Sequence, residues 1–369
     1  MNDFEIAFSE KMAQCQSNNF GIDNFDEKRF GKYSHSLETK VKFIQAIKKV
    51  IGYKYWKRNK QKETDFLNKY GEGLQNIYAH LDKECKELLV ELIAYRRLGF
   101  RKVKLSRNNK DYLSAVALAD SLADKKDTFD PHYMNLILVK FDLDAIGFDV
   151  KLYFSVLGIA IDFLIEQYAY KSGDKTIVGV EKGDVVIDAG ACWGDTALYF
   201  AHKSGDQGKV YSFEFIPDNI KLFNLNKSFN PKLANQINLV EHPVSNKSGD
   251  KIYFKDNGPA SRVQLQPFDG QTGFAALLRI DDFVKQNNIS KVDFIKMDIE
   301  GAEPLALQGA IETIKKFRPK LAIAIYHSIN DFVNIPNWIL GLNLDYEIFL
   351  GHYTIHAEET ICFAKPRNK

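Results

Sequence analysis

The sequence contains few cysteines, almost no excess charge and no long apolar run. Only four cysteines occur among 369 residues, with no C-x-x-C pair, so the sequence predicts neither a disulfide framework nor a zinc site. A formal net charge of +2 gives no electrostatic argument for a nucleic-acid partner. No stretch approaches the roughly 18 uncharged apolar residues of a membrane span. The N-terminus lacks the apolar core of a secretion signal, and we expect a cytoplasmic protein with reduced thiols.

Length and periodicity predict two domains. Between residues 37 and 100, apolar residues recur at helical spacing, as in Val41, Ile44 and Ile47. We therefore expect a helical N-terminal region over residues 1–130, with the first 36 or so residues poorly ordered or loosely docked. A charged, Asp-rich segment at residues 120–131 is the expected boundary, and residues 131–369 form the second predicted domain.

From about residue 177, strand-like and helix-like segments alternate, which predicts a mainly parallel sheet with helices on both faces. The predicted strands are Val185–Asp188, Lys209–Phe215, Ile237–Glu241, Val292–Asp298 and Lys320–His327. The predicted helices are Thr196–His202, Asn219–Lys227 and Pro304–Phe317. Two final strands, Tyr346–Leu350 and Thr360–Ala364, are joined by a loop too short for a crossover helix, so this pair should be antiparallel.

The turn after the first of these strands predicts a cofactor site. The strand ends in Asp188, and the turn contains Gly190 and Gly194 before the next helix. Glycines let the backbone approach a ligand closely, and a helix N-terminus offers free N–H groups. A dinucleotide site would require a third glycine, which this turn lacks.

Several further residues are candidates for binding the cofactor. Glu214 ends the second strand and suits a ribose diol, although it could instead favour the start of the helix at Pro217. Phe215 and Asn219 would border an adenosine. Asp195 and Thr196 contact the ligand or cap the helix. His242, after the third strand, contacts the adenine or has a structural role.

Clustered acids after the fourth strand predict the catalytic edge. Asp298, Glu300 and Glu303 lie within six residues, and such carboxylates repel one another unless a positive group lies among them. The fifth strand ends at His327, which should converge on Asp298. A neutral His327 oriented by Asp298 would serve as the base. In the alternatives, Asp298 is the base and His327 holds the substrate, or His327 is a core residue.

The motifs together resemble one family. Asp188-Ala-Gly-Ala-x-x-Gly-Asp195, Lys296-Met-Asp-Ile-Glu-Gly-Ala-Glu303 and Ile325-Tyr-His327 look like the FkbM family of class I S-adenosylmethionine-dependent methyltransferases, and the resemblance covers roughly residues 160–369. It implies a doubly wound, mostly parallel seven-stranded sheet with one antiparallel strand. It also implies S-adenosylmethionine as cofactor, with Asp298 among the residues that bind it. The implied reaction is O-methylation of a hydroxyl on a sugar of a surface glycan or on a natural product, and N-methylation is the alternative. Tyr326 replaces the Glu of many relatives.

Substrate and metal contacts are predicted less directly. Arg262, Tyr326 and His352 are the residues expected to contact the acceptor, although Arg262 could equally lie in solvent. Oxygen and nitrogen donors from Asp298, Glu300, His327 and His352 are compatible with Mg²⁺ or Mn²⁺. No ligand spacing compels a metal site, and we assign none from the sequence.

A basic segment of the sequence indicates a second class of function, which is binding rather than catalysis. Lys40–Lys62 contains nine basic residues and no acid, interleaved with apolar residues. This pattern would suit the surface of an anionic membrane, such as the inner membrane, or an acidic glycan. A solvated face of a bundle helix is the simpler interpretation.

Overall fold

The chain divides into two compact units in this computed structural model, which describes residues 1–15, 32–50 and 52–367. The first unit comprises Met1–Asn109 with Thr354–Glu358, and the second comprises Lys110–Tyr353 with Glu359–Lys369. The division therefore falls before residue 110, rather than at the expected residue 130. The charged residues near 124–127 belong to an edge strand of the second unit, and most of their side chains are exposed because that strand has a solvent face.

The first unit is helical, as predicted. Its helices are α1 (Asp3–Gln14), α2 (His35–Val50), α3 (Gly52–His80) and α4 (Lys83–Leu98). A capping box between Asn2 and Glu5 begins α1, and Phe4 and Phe8 of this helix are fully buried. Residues 3–14 are thus ordered by apolar burial, contrary to the expectation of loose order. The rest of that expectation, over residues 16–31, lies outside the described residues.

The second unit contains the predicted doubly wound sheet. Its strands are β6 (Val185–Ala189), β7 (Lys209–Phe213), β8 (Ile237–Val240), β12 (Phe294–Met297), β13 (Lys320–Ala324), β14 (Tyr346–His352) and β15 (Thr360–Pro366). Their spatial order is β14-β15-β13-β12-β6-β7-β8. Neighbours from β13 to β8 are parallel, and β15 is antiparallel to both β13 and β14. The expectation of seven strands with one reversed is confirmed.

Helices cover this sheet and connect its strands. They are α5 (Lys110–Leu122), α6 (Asp195–Ser204), α7 (Pro217–Ser228), α8 (Pro231–Ala234), α9 (Ile280–Gln286), α10 (Glu303–Gly309), α11 (Ile311–Phe317) and α12 (Ile329–Gly341). The single helix predicted over residues 304–317 is two helices. At the break, a Cβ on Gly309 would lie 1.9 Å from the carbonyl oxygen of Ser245, so a glycine is required for this close approach.

Three small sheets escaped the sequence prediction. The first is an antiparallel sheet of β1 (Ala123–Phe129), β2 (Leu138–Asp142) and β3 (Lys151–Phe154). The second is a hairpin of β4 (Tyr170–Ser172) and β5 (Lys175–Val178). In the third, β9 (Lys251–Lys255) pairs with β10 (Arg262–Gln264) and β11 (Gly273–Ala276). A helical turn, Val156–Gly158, continues into a π-helix, Ile159–Leu164. Among the described residues, no helix has both the length and the apolar character needed to cross a bilayer.

Candidate active site

A cavity of about 720 Å³ opens at the carboxyl ends of β6, β7 and β12. The chain order reverses at β6, which pairs with β7 on one side and with β12 on the other, and ligands of open α/β sheets bind at such a point. The predicted site residues that line the cavity are Gly190, Asp195, Thr196, Glu214, Phe215, Asn219, His242, Asp298, Glu300 and Tyr326. Sequence reasoning therefore brought most of the candidate site together correctly.

Asp188 lies beneath the cavity and does not line it. Its carboxylate is fully buried and accepts hydrogen bonds from the hydroxyls of Thr196, at 3.0 and 3.1 Å, and Ser212, at 3.1 Å. Lys296 Nζ lies 3.3 Å from Asp188 Oδ1 and donates to the Gly190 carbonyl at 2.6 Å. The Asp188 oxygens thus anchor the turn, and a direct contact between Asp188 and a cofactor stays a prediction.

Lys296 compensates the buried acids beneath the turn. Burial lowers its pKa, but the carboxylates of Asp188, Asp298 and Asp195 outweigh this effect, and the pKa is raised on balance. The side chain therefore stays charged and holds β6 and β12 together at the cavity floor.

The two glycines of the turn have different roles. Gly190 adopts φ +85°, and a Cβ there would lie 1.9 Å from the carbonyl oxygen of Asp298, so only glycine allows these loops to meet at the cavity. Gly194, also at φ +85°, precedes α6, and its Cβ would lie 3.0 Å from the ring of Phe223. Gly194 is not among the residues that line the cavity, and its contact with a cofactor stays a prediction.

Glu214 projects from the end of β7 with both oxygens already engaged. One oxygen accepts the N–H groups of Phe215, at 2.6 Å, and Ile216, at 2.8 Å. The other accepts the Asn219 amide at 3.1 Å. Burial raises the pKa of Glu214 despite these hydrogen bonds. The carboxylate therefore stabilises the start of α7 and also lines the cavity, and its contact with a ribose stays a prediction.

The ring of Phe215 and the imidazole of His242 border the same end of the cavity as Glu214. Phe215 packs edge-on against Phe254, with ring centroids 5.5 Å apart. His242 Nδ1 lies 2.8 Å from the Ala276 carbonyl. Because a carbonyl only accepts, Nδ1 carries the proton, and Nε2 of the neutral ring is an acceptor.

Asp162, which sequence reasoning missed, forms an acidic pair with Asp195. Asp162 lies on the π-helix, and both side chains are buried and line the cavity. Burial raises the pKa of Asp195 to about 6, and burial together with the charge of Asp195 raises the pKa of Asp162 well above its usual range. The pair is therefore most stable when it shares a proton. No local motif marks Asp162, since a single acid in an apolar segment carries no spacing signal.

Asp298 is the centre of a polar network at the other end of the cavity. Tyr326 donates its hydroxyl to both Asp298 oxygens, at 3.0 and 3.1 Å, and Tyr168 donates at 3.0 Å. His327 Nε2 lies 3.5 Å from Asp298 Oδ1 and 3.6 Å from Glu300 Oε2. The predicted convergence of Asp298, Glu300 and His327 is thus observed.

His327 lies beside the cavity. It is not among the residues that line the cavity, whereas Asp298, Glu300 and Tyr326 are. Burial lowers its pKa, but Glu303, Asp298 and Glu300 outweigh this effect and raise the pKa to about 9. These acids therefore favour the protonated imidazole. The role of His327 as the base stays a prediction, and Asp298 is its neighbour that reaches the cavity.

Two predicted substrate residues lie outside the cavity lining. Arg262, on β10, is exposed, and its guanidinium lies 5.0 Å from the ring centroid of Phe268, so the solvent alternative is correct. His352 is buried on β14, with Nδ1 2.8 Å from Thr360 Oγ1, and is a core residue. The outer rim of the cavity is instead apolar, with exposed side chains of Leu157, Val263, Leu265 and Leu305.

The motifs and the sheet topology agree with a match between this sequence and a known protein family. Residues 178–348 match the family described as the Methyltransferase FkbM domain. These residues form an FkbM methyltransferase domain. The expected family, fold and cofactor agree with this match.

Solved structures with a similar fold are distant in sequence. An FkbM methyltransferase from Methylobacillus flagellatus is 19% identical, with a TM-score of 0.48, over 79% of this chain and 58% of that chain. The chain thus spans well under two thirds of that protein. A fibrillarin from Aeropyrum pernix with natively bound S-adenosyl-L-methionine is 14% identical, with a TM-score of 0.33, over 50% and 67% of the chains. No curated protein matches the sequence.

The residues present fit S-adenosylmethionine. The cavity volume lies within the roughly 300–1,000 Å³ of small-molecule sites, and Gly190 brings a side-chain-free stretch of backbone to its wall. The donor set also suits the cofactor, because acidic Asp162, Asp195 and Glu214 line a pocket for a molecule whose sulfonium and ammonium groups are positive. When bound, the cofactor supplies an electrophilic methyl group. Gly190, Asp195, Glu214 and Asn219 are the residues that would hold it.

Proposed function

We propose that this protein methylates a hydroxyl group, with S-adenosylmethionine as donor, on a sugar of a surface glycan or on a natural product. The observation that carries the proposal is the convergence, in one cavity, of the Gly190 turn, the Glu214 carboxylate and the Asp298 network. Methyl transfer needs an acceptor held in line with the methyl group and relieved of its proton. The Asp298 end of the cavity supplies groups for both requirements.

The chain's own residues orient the acceptor at this end. The Asp298 carboxylate accepts two phenolic hydrogen bonds, from Tyr168 and Tyr326, which fix its orientation. Its remaining lone-pair capacity faces the cavity and suits an acceptor O–H as hydrogen-bond donor. The Tyr326 hydroxyl, on the adjacent strand end, lines the same wall. These groups favour an oxygen acceptor, and N-methylation is the alternative outcome of the test.

The apolar rim of the cavity indicates which class of acceptor the site would bind. Val263 and Leu265 are 43% and 69% exposed and stand at the cavity mouth. Exposed aliphatic groups around a polar site suit a ligand with an apolar portion. We therefore propose that the methylated hydroxyl belongs to a molecule with an apolar face, such as a deoxysugar or a glycosylated natural product.

Methyl transfer from labelled S-adenosylmethionine tests the proposal. The purified chain is incubated with panels of sugars, glycosylated natural products and amines, and the product is located by mass spectrometry and NMR. A new methyl ether supports the proposal. Methylation of amines alone would contradict the hydroxyl assignment, and failure to bind S-adenosylmethionine would contradict the reaction itself.

One observation favours a second, peripheral binding role for the basic segment. Phe43, Ile44 and Ile47 of α2 are 67%, 48% and 42% exposed, and they lie among the lysines of the Lys40–Lys62 segment. An apolar and basic helix suits an anionic membrane surface. Flotation with phosphatidylserine vesicles tests this role, with a Phe43→Ser, Ile47→Ser variant expected to stay at the bottom of the gradient. Equal flotation of both proteins, or no flotation of the unaltered protein, would reject it.

A further inference from the structure

Three side chains of metal-ligand type converge beside the Asp298 end of the cavity. Asp298, Glu303 and His327 each offer one donor atom, and these three atoms lie within 4.8 Å of one another. They follow β12, begin α10 and follow β13, respectively. Two carboxylates and an imidazole from three separate elements form a donor set that a divalent cation can bridge.

Glu303 supplies an independent sign that a ligand is needed. Its side chain is fully buried, and one oxygen accepts the Ile299 N–H at 2.8 Å. Within the part of the chain that the structure describes, its other oxygen, Oε2, has no hydrogen-bond partner. A buried carboxylate oxygen without a partner costs folding free energy, which a bound cation would offset.

The imidazole of His327 also lacks hydrogen-bond partners. Nδ1 lies 3.3 Å from Glu303 Oε1 in an ion-pair contact. By hydrogen-bond geometry, neither ring nitrogen has a partner among the described residues. A histidine held between acids in this way suits the role of a metal ligand.

We propose that Asp298, Glu303 and His327 bind one divalent cation of the Mn²⁺ class. Oxygen donors with a single imidazole favour Mn²⁺ over ions that require thiolates, and three protein ligands leave further positions for water or substrate oxygen. Tyr168 and Tyr326 donate to Asp298 and act as supporting groups that orient this ligand. Glu300, with its carboxylate 3.6 Å from His327 Nε2, borders the open side.

The proposed cation would act on the acceptor. This step rests on the proposed function, because it assumes that a hydroxyl reaches Asp298 from the cavity. A cation at that carboxylate lowers the pKa of a coordinated hydroxyl, so the acceptor would pass its proton to the Glu300 carboxylate, which lines the cavity, without a neutral histidine. Asp298 and His327 would then act as ligands rather than as the general base.

Mn²⁺ binding by the full chain, without S-adenosylmethionine, tests the site directly. Free Mn²⁺ is followed by its electron paramagnetic resonance signal during a titration. We expect one Mn²⁺ per chain, and at least tenfold weaker binding by Glu303→Gln, which removes the charge but keeps the shape. The matched control is Glu312→Gln on α11, where the side chain is 71% exposed, and it should bind Mn²⁺ like the unaltered protein.

Two results would overturn the proposal. The first is no Mn²⁺ binding by the unaltered protein at millimolar concentration, and the second is unchanged binding by Glu303→Gln. Circular dichroism monitors folding, and His327→Gln serves as the second variant if Glu303→Gln fails to fold. A separate S-adenosylmethionine titration distinguishes the failures, because loss of Mn²⁺ binding alone rejects the metal site, and loss of cofactor binding alone rejects the proposed function.

Discussion

The acidic pair in the cavity predicts a pH-dependent gain of stability in Asp162→Asn. Asp162 and Asp195 are both buried, and burial raises the pKa of Asp195 from 3.8 to about 6. A carboxyl group with a raised pKa stabilises the fold below its unfolded value of about 4, and this contribution is lost as the pH rises towards 6. Above pH 6 the folded protein therefore carries the cost of a buried negative charge.

The pKa shift of Asp195 sets the scale for one buried carboxylate of the pair. About 2 pKa units at 1.36 kcal/mol each amount to about 3 kcal/mol. The pKa of Asp162 is itself raised well above its usual range, so an ionised Asp162 also costs folding free energy, and an asparagine at this position removes that cost. At pH 8 the variant should therefore be more stable, with a melting temperature higher by roughly 2–4 °C for each kcal/mol gained in a domain of this size.

Thermal melts at pH 4 and pH 8, without cofactor, measure this effect. The gain should be large at pH 8 and small at pH 4, where the folded pair is protonated and about half of the unfolded carboxyl groups are protonated as well. The control, Asp206→Asn, alters an exposed aspartate and should change little at either pH. Equal gains at both pH values, or destabilisation of Asp162→Asn at pH 8, would refute the reasoning.

Four other substitutions test the rest of the site. Glu214→Gln should weaken S-adenosylmethionine binding about 30-fold, from about 2 kcal/mol for hydrogen bonds to a charged group, as calorimetry would show, and unchanged affinity would argue against a cofactor role. Gly190→Ala should melt earlier by several degrees and lose cofactor binding, because its Cβ would overlap the Asp298 carbonyl, whereas Gly173→Ala, with open space around it, serves as control for the positive φ. Asp298→Asn should lower kcat at least about 100-fold with little change in cofactor affinity, and full activity would remove Asp298 from the mechanism. Leu265→Ser should raise KM for the acceptor several-fold and leave cofactor binding unchanged, and an unaltered KM would show that the rim does not contact the acceptor.

The sheet could be predicted because its signals are local. Short apolar runs ending in Asp188, Glu214 and Asp298, separated by helical patterns, fix strand type and direction. The loop before Thr360 is too short for a crossover helix, which fixed the one reversed strand. The strands of the β9–β11 sheet lack such signals, since they are short, partly exposed and separated by irregular loops.

The residues that form the site were harder to predict from the sequence than the position of the site in the fold. Asp162 reaches the cavity through a π-helix that no spacing rule reveals. Whether Asp188 faces a ligand or the core depends on the partners that surround it. Thr196, Ser212 and Lys296 contact its oxygens, which only the packed structure shows. The burial of His352 on β14 could not be predicted for the same reason.

Isothermal titration of the purified, full-length chain with S-adenosylmethionine tests the central claim most directly. One cavity at the carboxyl ends of β6, β7 and β12 predicts a single site per chain, with affinity reduced in Glu214→Gln and retained in the exposed control Glu312→Gln. No measurable heat of binding by a folded protein, or equal affinity in Glu214→Gln, would contradict the placement of the cofactor in this cavity.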